Sequence, residues 1–129
     1  MALKDPVARR AYFREWQRKN RAKVKGYQAA WYQEHRERIL GQQHQDRLEA
    51  LQHYSRGKLR CRCCGEDGYL FLTLDHTRND GKEHRLATRA TQICTLLKRQ
   101  GWPKGFQVLC YNCNFGRAKN GGICPHKET

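Results

Sequence analysis

The sequences CRCCG at residues 61–65 and CYNCN at residues 110–114 predict how this chain folds. Each contains two cysteines separated by two residues, the spacing with which one tight turn presents two thiolates to a tetrahedral metal ion. Two such pairs complete the ligand set of a zinc site without an open position for chemistry. We therefore predict one structural zinc ion per chain, held by Cys61, Cys64, Cys110 and Cys113.

The first cysteine pair is ambiguous, because CRCC also allows Cys61 to act with Cys63. Cys64 is preferred because its spacing from Cys61 matches that of the second pair. Gly65 strengthens the prediction of a zinc site, since a glycine after the second ligand lets backbone N–H groups turn toward the sulfurs.

Three further residues with ligand chemistry are interpreted as non-ligands. Cys94 lies among apolar residues of a predicted helix and is expected in the core. Cys124 and His126, in GICPH, could form an extra ligand pair, but we interpret them as unliganded or packed.

Composition limits the size of the core. The chain has 129 residues, of which 38% are hydrophobic, and a mean hydropathy of −1.00. One compact domain with an appendage is expected, and metal binding would compensate for the small core. The N-terminus lacks the apolar region of a signal peptide and no segment has the apolar length of a membrane span, which predicts a cytoplasmic protein. In a reducing compartment, close cysteine pairs favour metal binding over disulfides.

The net charge of +14 predicts a polyanionic partner, and nucleic acid is favoured. Lys and Arg exceed Asp and Glu both in residues 1–60 and in residues 61–129. Both halves of the chain can therefore contact phosphate groups.

Residues 1–57 are predicted to form a basic helical arm, with Pro6 in its first turn. A loose repeat places Tyr12 and Trp16, then Tyr27 and Trp31, at four-residue steps that share a helical face. The arm either packs these aromatics on the C-terminal domain or lies along DNA, and it could equally supply a homodimer contact. Two glycines are expected to break it into shorter helices: Gly26 and Gly41.

Residues 58–129 are predicted to form an α+β domain. YLFLTLDH at 69–76 and GFQVLC at 105–110 have the apolar character of strands. LATRATQICTLLKRQG at 86–101 is predicted to be a helix that Gly101 and Pro103 end.

Asp75, His76 and Asn114 form the candidate catalytic site, since the zinc site would bring their segments together. Asp75 and Asn114 offer oxygen ligands to Mg²⁺ or Mn²⁺. Neutral His76 can accept a proton from an attacking water molecule. These residues suit metal-assisted phosphodiester hydrolysis.

The motifs LDHTRNDG…HR and GFQVLCYNCNFGRAK resemble those of HNH, or His-Me finger, endonucleases, especially the zinc-framed phage type similar to recombination endonuclease VII. The resemblance covers roughly residues 61–126. It implies a ββα-metal fold in which His76 ends the first strand as general base. FQVLC would form the second strand, and Asn114 would open the helix as a metal ligand beside Asp75. It also suggests a phage origin and action inside an infected host.

The chain departs from the family pattern at Gly105, where many members have an Asn that orients the catalytic His. Asn79 is a candidate replacement. Residues expected to contact DNA are Arg117, Arg85, Lys119, Arg14, Arg18 and Arg21, whereas His84 receives no firm role.

Three functions are compatible with these patterns. The first is a divalent-metal-dependent DNA endonuclease that nicks or cuts DNA, with branched DNA among its candidate substrates. The alternative is a zinc-stabilised nucleic-acid-binding module without catalysis. The third function, a thiol redox protein built on CRCC, is the weakest of the three because it explains neither Asn114 nor the net charge.

Overall fold

The computed structural model describes residues 4–88 and 92–127. These residues form an α+β structure that is mostly helical and contains one two-stranded antiparallel sheet. In chain order the elements are α1 (Pro6–Lys19), α2 (Arg21–Tyr54), a 3₁₀ turn (Tyr69–Phe71), β1 (Leu72–His76), α3 (Gly81–Thr88), α4 (Ile93–Arg99), β2 (Phe106–Cys110), α5 (Tyr111–Lys119) and a second 3₁₀ turn (Pro125–Lys127).

Helix α1 begins where the sequence predicts. The Asp5 carboxylate accepts hydrogen bonds from the backbone N–H groups of Val7 and Ala8, both at 3.1 Å, and Pro6 occupies the first turn. The helix ends at Asn20, whose side-chain amide donates to the Trp16 carbonyl at 2.8 Å. This local hydrogen bond competes with the helical pattern and marks the boundary between α1 and α2.

The prediction that Gly26 and Gly41 break the arm is wrong, because both lie inside α2. A Cβ atom at either position would meet nothing within 4 Å. Glycine costs only about 1 kcal/mol relative to alanine in a helix interior, and the strong helix formers around it offset that cost.

The chain divides into two compact units, residues 1–40 and residues 41–129. This division differs from the predicted boundary between residues 57 and 58. The last turns of α2 belong to the second unit because Asp46, Ala50 and Leu51 are buried there. In the first unit the four aromatic residues of the sequence repeat are exposed: Tyr12, Trp16, Tyr27 and Trp31.

The core of the second unit is small and rich in cysteine. Its buried residues are Leu51, Cys61, Leu72, Val108, Leu109, Cys110, Cys113 and Cys124. Half of these side chains are thiols rather than hydrocarbons. Hydrophobic burial alone therefore contributes little, and metal binding by the thiols would add the missing stabilisation.

Strands β1 and β2 pair with Leu72 opposite Cys110 and His76 opposite Phe106. Both strands lie within the segments predicted from the sequence. Helix α5 follows β2 directly, with Cys110 as its N-cap residue. Arg47 links α2 to strand β1, because its guanidinium donates a 2.5 Å hydrogen bond to the Leu72 carbonyl.

Two helices, α3 and α4, lie between strands β1 and β2, whereas the sequence predicts a single helix at 86–101. Helix α4 ends at Arg99, as expected from Gly101, which has φ +77°. Helix α3 begins earlier, at Gly81, and ends at Thr88. The predicted helical residues 89–91 lie outside the described residues.

Buried Asp46 of α2 anchors helix α4. Its carboxylate accepts hydrogen bonds from the Thr95 hydroxyl at 2.7 Å, the Gln42 amide at 2.9 Å and the Lys98 ammonium at 3.2 Å. The Thr95 hydrogen bond is the main cause that lowers the pKa of Asp46. Cys94, predicted to lie in the core, is partly buried on the same helix and belongs to neither cysteine cluster described below.

Candidate metal centre and catalytic site

Cys61, Cys64, Cys110 and Cys113 converge, with all four sulfurs within 4.8 Å of one another. The Sγ atoms of Cys64 and Cys110 are 3.7 Å apart. Two thiolates on a tetrahedral zinc ion with Zn–S bonds of about 2.3 Å lie about 3.8 Å apart. This cluster, called the first ligand group below, can hold a structural metal such as zinc.

Local turns present these four sulfurs. The Gly65 N–H donates to the Cys61 carbonyl at 3.0 Å, and Gly65 has φ +83°, which a larger residue rarely adopts. The Cys110 sulfur caps α5 by accepting the Cys113 N–H at 3.4 Å. Gly65 thus turns the chain after the second ligand, although its N–H bonds a carbonyl rather than a sulfur.

The pKa values of the Cys61 and Cys113 thiols are shifted in opposite directions. Burial opposes ionisation of Cys61, but the backbone N–H groups around it, including that of Cys64, outweigh burial and lower its pKa to about 7. Burial and then the neighbouring thiols, beginning with Cys110, raise the pKa of Cys113. A bound Zn²⁺ would reverse that effect, since it favours the thiolate form of every ligand.

A second group of ligand atoms includes Cys124 and His126, which the sequence analysis interprets as unliganded or packed. The ligand atoms of Cys63, Cys113, Cys124 and His126 also lie within 4.8 Å of one another. Cys113 belongs to both groups. The sequence offered a signal in the Cys-x-His spacing of GICPH, but not the fold that brings it beside Cys63.

Strand β1 and helix α5 position the predicted oxygen ligands. The Asn114 side-chain amide donates to the Thr73 hydroxyl at 2.9 Å, and that hydroxyl donates to the Leu109 carbonyl at 2.8 Å. Because the Asn114 nitrogen is used in this way, its amide oxygen is the atom left for a metal. Thr73 and Asp75 share one face of β1, since side chains alternate along a strand.

Asp75 is held from two directions. The Gln107 amide, opposite it in the sheet, donates to Asp75 Oδ2 at 2.8 Å, and Arg117 forms a salt bridge with the same oxygen. Among the described residues, both hydrogen bonds to this carboxylate reach Oδ2. Oδ1 is therefore the atom that a divalent cation can share, with its orientation fixed by Gln107 and Arg117.

Arg117 is predicted from the sequence to contact phosphate, and in the structure its guanidinium makes hydrogen bonds within the protein. Its Nε donates to the Gly122 carbonyl at 2.9 Å, and its two terminal nitrogens donate to Asp75 and to the carbonyls of His76 at 3.0 Å and Thr77 at 2.7 Å. The side chain is only 15% exposed. The guanidinium therefore joins α5 to the end of β1, a use of its planar set of donors that lysine cannot reproduce.

His76 ends β1 in a small aromatic cluster. Its ring lies 4.7 Å from the Phe106 ring, between centroids, and its Nε2 is 3.2 Å from Nδ1 of His84. A Cβ atom on Gly81 would approach His76 Nδ1 to 3.0 Å, so only glycine fits without displacement. Burial, and then the His84 ring, lower the pKa of His76 and favour the neutral imidazole that a general base requires.

His84 is the neighbour of the candidate base that the sequence left without a role. It sits on the first turn of α3, and its ring reaches back to His76. At Asn79, the predicted orienting residue, the backbone N–H donates to the His76 carbonyl at 3.1 Å. Gly105 has φ +113°, which an Asn would adopt only with strain, and its carbonyl accepts the Thr77 N–H at 3.0 Å. The ring of His84 therefore contacts that of His76, and the orienting role of Asn79 stays a prediction.

The other predicted DNA contacts are exposed side chains. Arg85 lies on α3, and Lys119 lies near the end of α5 over the Phe115 ring. Arg14 and Arg21 are exposed on the arm, and Arg18 pairs with Glu15 at 2.8 Å. Their positions leave these predictions untested.

A basic cavity of about 740 Å³ lies next to the candidate catalytic residues. Its cationic lining residues are Arg56, Lys58, Arg60, Arg62 and Lys104, and no acidic residue lines it within the described part of the chain. Its aromatic lining includes Tyr54, Trp102 and Phe106. Because Phe106 also contacts His76, and Gln107 of the lining contacts Asp75, the cavity adjoins the candidate site.

Comparisons with protein-family models, with curated proteins and with solved structures give no match to this chain. Within the ranges that the structure describes, none of the helices combines the length and the apolar character that crossing a membrane requires.

Proposed function

We propose that this protein is a divalent-metal-dependent DNA endonuclease of the HNH type. The arrangement of β1 and α5 carries the proposal. It fixes the oxygen ligands Asp75 and Asn114 through dedicated hydrogen bonds and leaves a neutral imidazole, His76, at the adjacent strand end. Side chains held by their neighbours in this way are what positioned catalysis requires.

The donor set suits a hard divalent cation. Asp75 Oδ1 and the Asn114 amide oxygen would hold Mg²⁺ or Mn²⁺. When bound, such an ion would polarise the scissile phosphate and stabilise developing negative charge. Within the protein, His76 accepts the proton of the attacking water, and His84 and Phe106 fix the plane of the His76 ring.

The basic cavity supports DNA as the substrate. Its five cationic side chains can neutralise backbone phosphates, and the Trp102 ring in its lining can stack on an unpaired base. The net charge of +14 adds a long-range attraction to any polyanion. These features favour a substrate with an unpaired or branched segment beside the scissile bond.

Nicking of supercoiled plasmid tests the proposal. Zinc-loaded protein is assayed with Mg²⁺ or Mn²⁺ added or omitted, because a strong chelator would also remove the structural metal. His76→Ala is expected to lose nicking by about 10²–10⁴-fold. His35→Ala, a histidine substitution in the first unit, is the matched control and should nick as the unmodified protein does. Full activity of His76→Ala would refute the assignment.

A second candidate is a nucleic-acid-binding module without catalysis. The cationic lining of the basic cavity favours it, because that cavity suits binding whether or not hydrolysis follows. This alternative predicts salt-sensitive DNA binding and no scission with Mg²⁺, Mn²⁺ or Ni²⁺. Metal-dependent nicking that His76→Ala abolishes would exclude it.

A further inference from the structure

The two ligand groups share one residue and together contain seven ligands. The first group uses Cys61, Cys64, Cys110 and Cys113, and the second uses Cys63, Cys113, Cys124 and His126. Two tetrahedral ions need eight ligand positions, and one thiolate that bridges both ions fills two of them. Seven ligands with a single shared cysteine therefore match two zinc ions without deficit or surplus.

We propose that the chain binds a second structural zinc ion through Cys63, Cys124 and His126, with the Cys113 thiolate bridging it to the first. The predicted single zinc per chain is thereby extended to a two-zinc cluster. The inference concerns the metal content and does not depend on nuclease activity.

Distances in the second ligand group fit tetrahedral coordination. Bonds of about 2.3 Å to sulfur and about 2.0 Å to nitrogen place the two ligand atoms about 3.5 Å apart at the tetrahedral angle. The observed separations from His126 Nδ1 are 3.3 Å to Cys113 Sγ, 3.5 Å to Cys124 Sγ and 4.0 Å to Cys63 Sγ. All three lie near the value that one shared zinc ion requires.

A local backbone turn also presents two ligands of the second group. Cys124 and His126 flank Pro125 in a 3₁₀ turn, which the Lys127 N–H closes onto the Cys124 carbonyl at 2.8 Å. The turn packs on α5, where a Cβ atom on Gly116 would approach Pro125 Cδ to 3.0 Å. A glycine on α5 thus lets the turn come close enough for Cys124 and His126 to meet Cys113.

Charge balance permits occupation of both groups. One zinc with four thiolates carries a formal charge of −2. The second ion adds two positive charges, and the Cys63 and Cys124 thiolates add two negative ones, so the cluster charge does not change. The strongly basic chain provides a favourable electrostatic environment for this charge. The second ion would fasten the turn at Pro125–Lys127 to α5 and to the CRCC turn.

Zinc content provides the first test. Reduced, zinc-saturated and desalted protein should contain two zinc ions per chain by elemental analysis. Cys63→Ser and His126→Ala should each contain one, whereas His126→Cys, which restores a ligand, should contain two. Cys94→Ser is the matched control, because Cys94 lies in neither ligand group, and should also contain two.

Several results would overturn the proposal. One zinc in the unmodified protein would do so, and so would two in His126→Ala, since the second ion would then lie elsewhere. Protein prepared without reductant could instead have a mass lower by two hydrogens and a disulfide that maps to Cys63 and Cys124. These two cysteines would then form a redox pair rather than part of a metal site. Near-ultraviolet circular dichroism verifies that each variant is folded before its zinc is counted.

Cadmium substitution tests the bridge itself. Cd²⁺ favours the same thiolate ligands, and ¹¹³Cd resonance should show two signals, one from a four-sulfur site and one from a site with three sulfurs and one nitrogen. A shared Cys113 sulfur would couple the two signals through two bonds. Two signals without coupling would refute the bridging role of Cys113.

Discussion

Replacement of Arg117 by alanine distinguishes the structural role of this residue from the phosphate contact predicted from sequence. The side chains of Asp75 and Arg117 are only 11% and 15% exposed, so the variant leaves a largely buried carboxylate without its cationic partner. Breaking a buried ion pair in this way costs about 3–5 kcal/mol. The carbonyls of His76, Thr77 and Gly122 also lose a donor.

The expected loss is a substantial fraction of the stability of a small domain, which is about 5–15 kcal/mol. With a denaturant dependence of about 2 kcal/mol per molar urea, the unfolding midpoint should fall by about 2 M. Urea unfolding of zinc-saturated protein, followed by tryptophan fluorescence, measures this shift. Arg117→Lys should recover only part of the loss, because a lysine cannot serve four acceptors at once.

Arg14→Ala provides a matched control, since Arg14 is an exposed arginine of the first unit. Its unfolding midpoint should not change. An unchanged midpoint for Arg117→Ala, accompanied by weaker DNA binding and a smaller salt dependence, would refute the structural role. That outcome would restore the interpretation of Arg117 as a phosphate contact.

Two further perturbations test other parts of the structure. The pKa of Asp46 is lowered in the folded state, chiefly by the hydrogen bond from the Thr95 hydroxyl. The Asp46 carboxylate therefore stabilises the fold fully above the unfolded pKa of about 4, and this stabilisation is lost as the pH falls through the folded pKa. Asp46→Asn should therefore lower the free energy of unfolding by about 2 kcal/mol at pH 7 and less in acid; a difference independent of pH would contradict this. Gly81→Ala should displace the His76 ring by a few tenths of an ångström and reduce plasmid nicking about tenfold, whereas Gly26→Ala, with open space around its Cβ, should only increase helicity by circular dichroism. Equal nicking by both glycine variants would show that the ring position does not limit the reaction.

Local patterns in the sequence were sufficient for much of the fold. The four-ligand cysteine group, the helical arm and both strands follow from spacing, propensity and apolar runs, because each depends on residues close together in the chain. The pairing of CRCCG with CYNCN was also predictable, since a tetrahedral ion needs four ligands and neither turn supplies more than two in suitable geometry. Gly26 and Gly41 show the limit of this reasoning, because neighbouring helix formers outweigh a single glycine.

The tertiary structure decided which partners the functional side chains meet. Nothing near Arg117 in the sequence indicates that Asp75 and the carbonyls of His76 and Thr77 would occupy its guanidinium. Nothing near His126 indicates Cys63. His84 lies close to His76 only because a helix begins at Gly81. Ligand spacing and helix propensity act within a few residues of the chain. The buried ion pair, the histidine contact and the shared Cys113 depend on side chains that only the completed fold brings together.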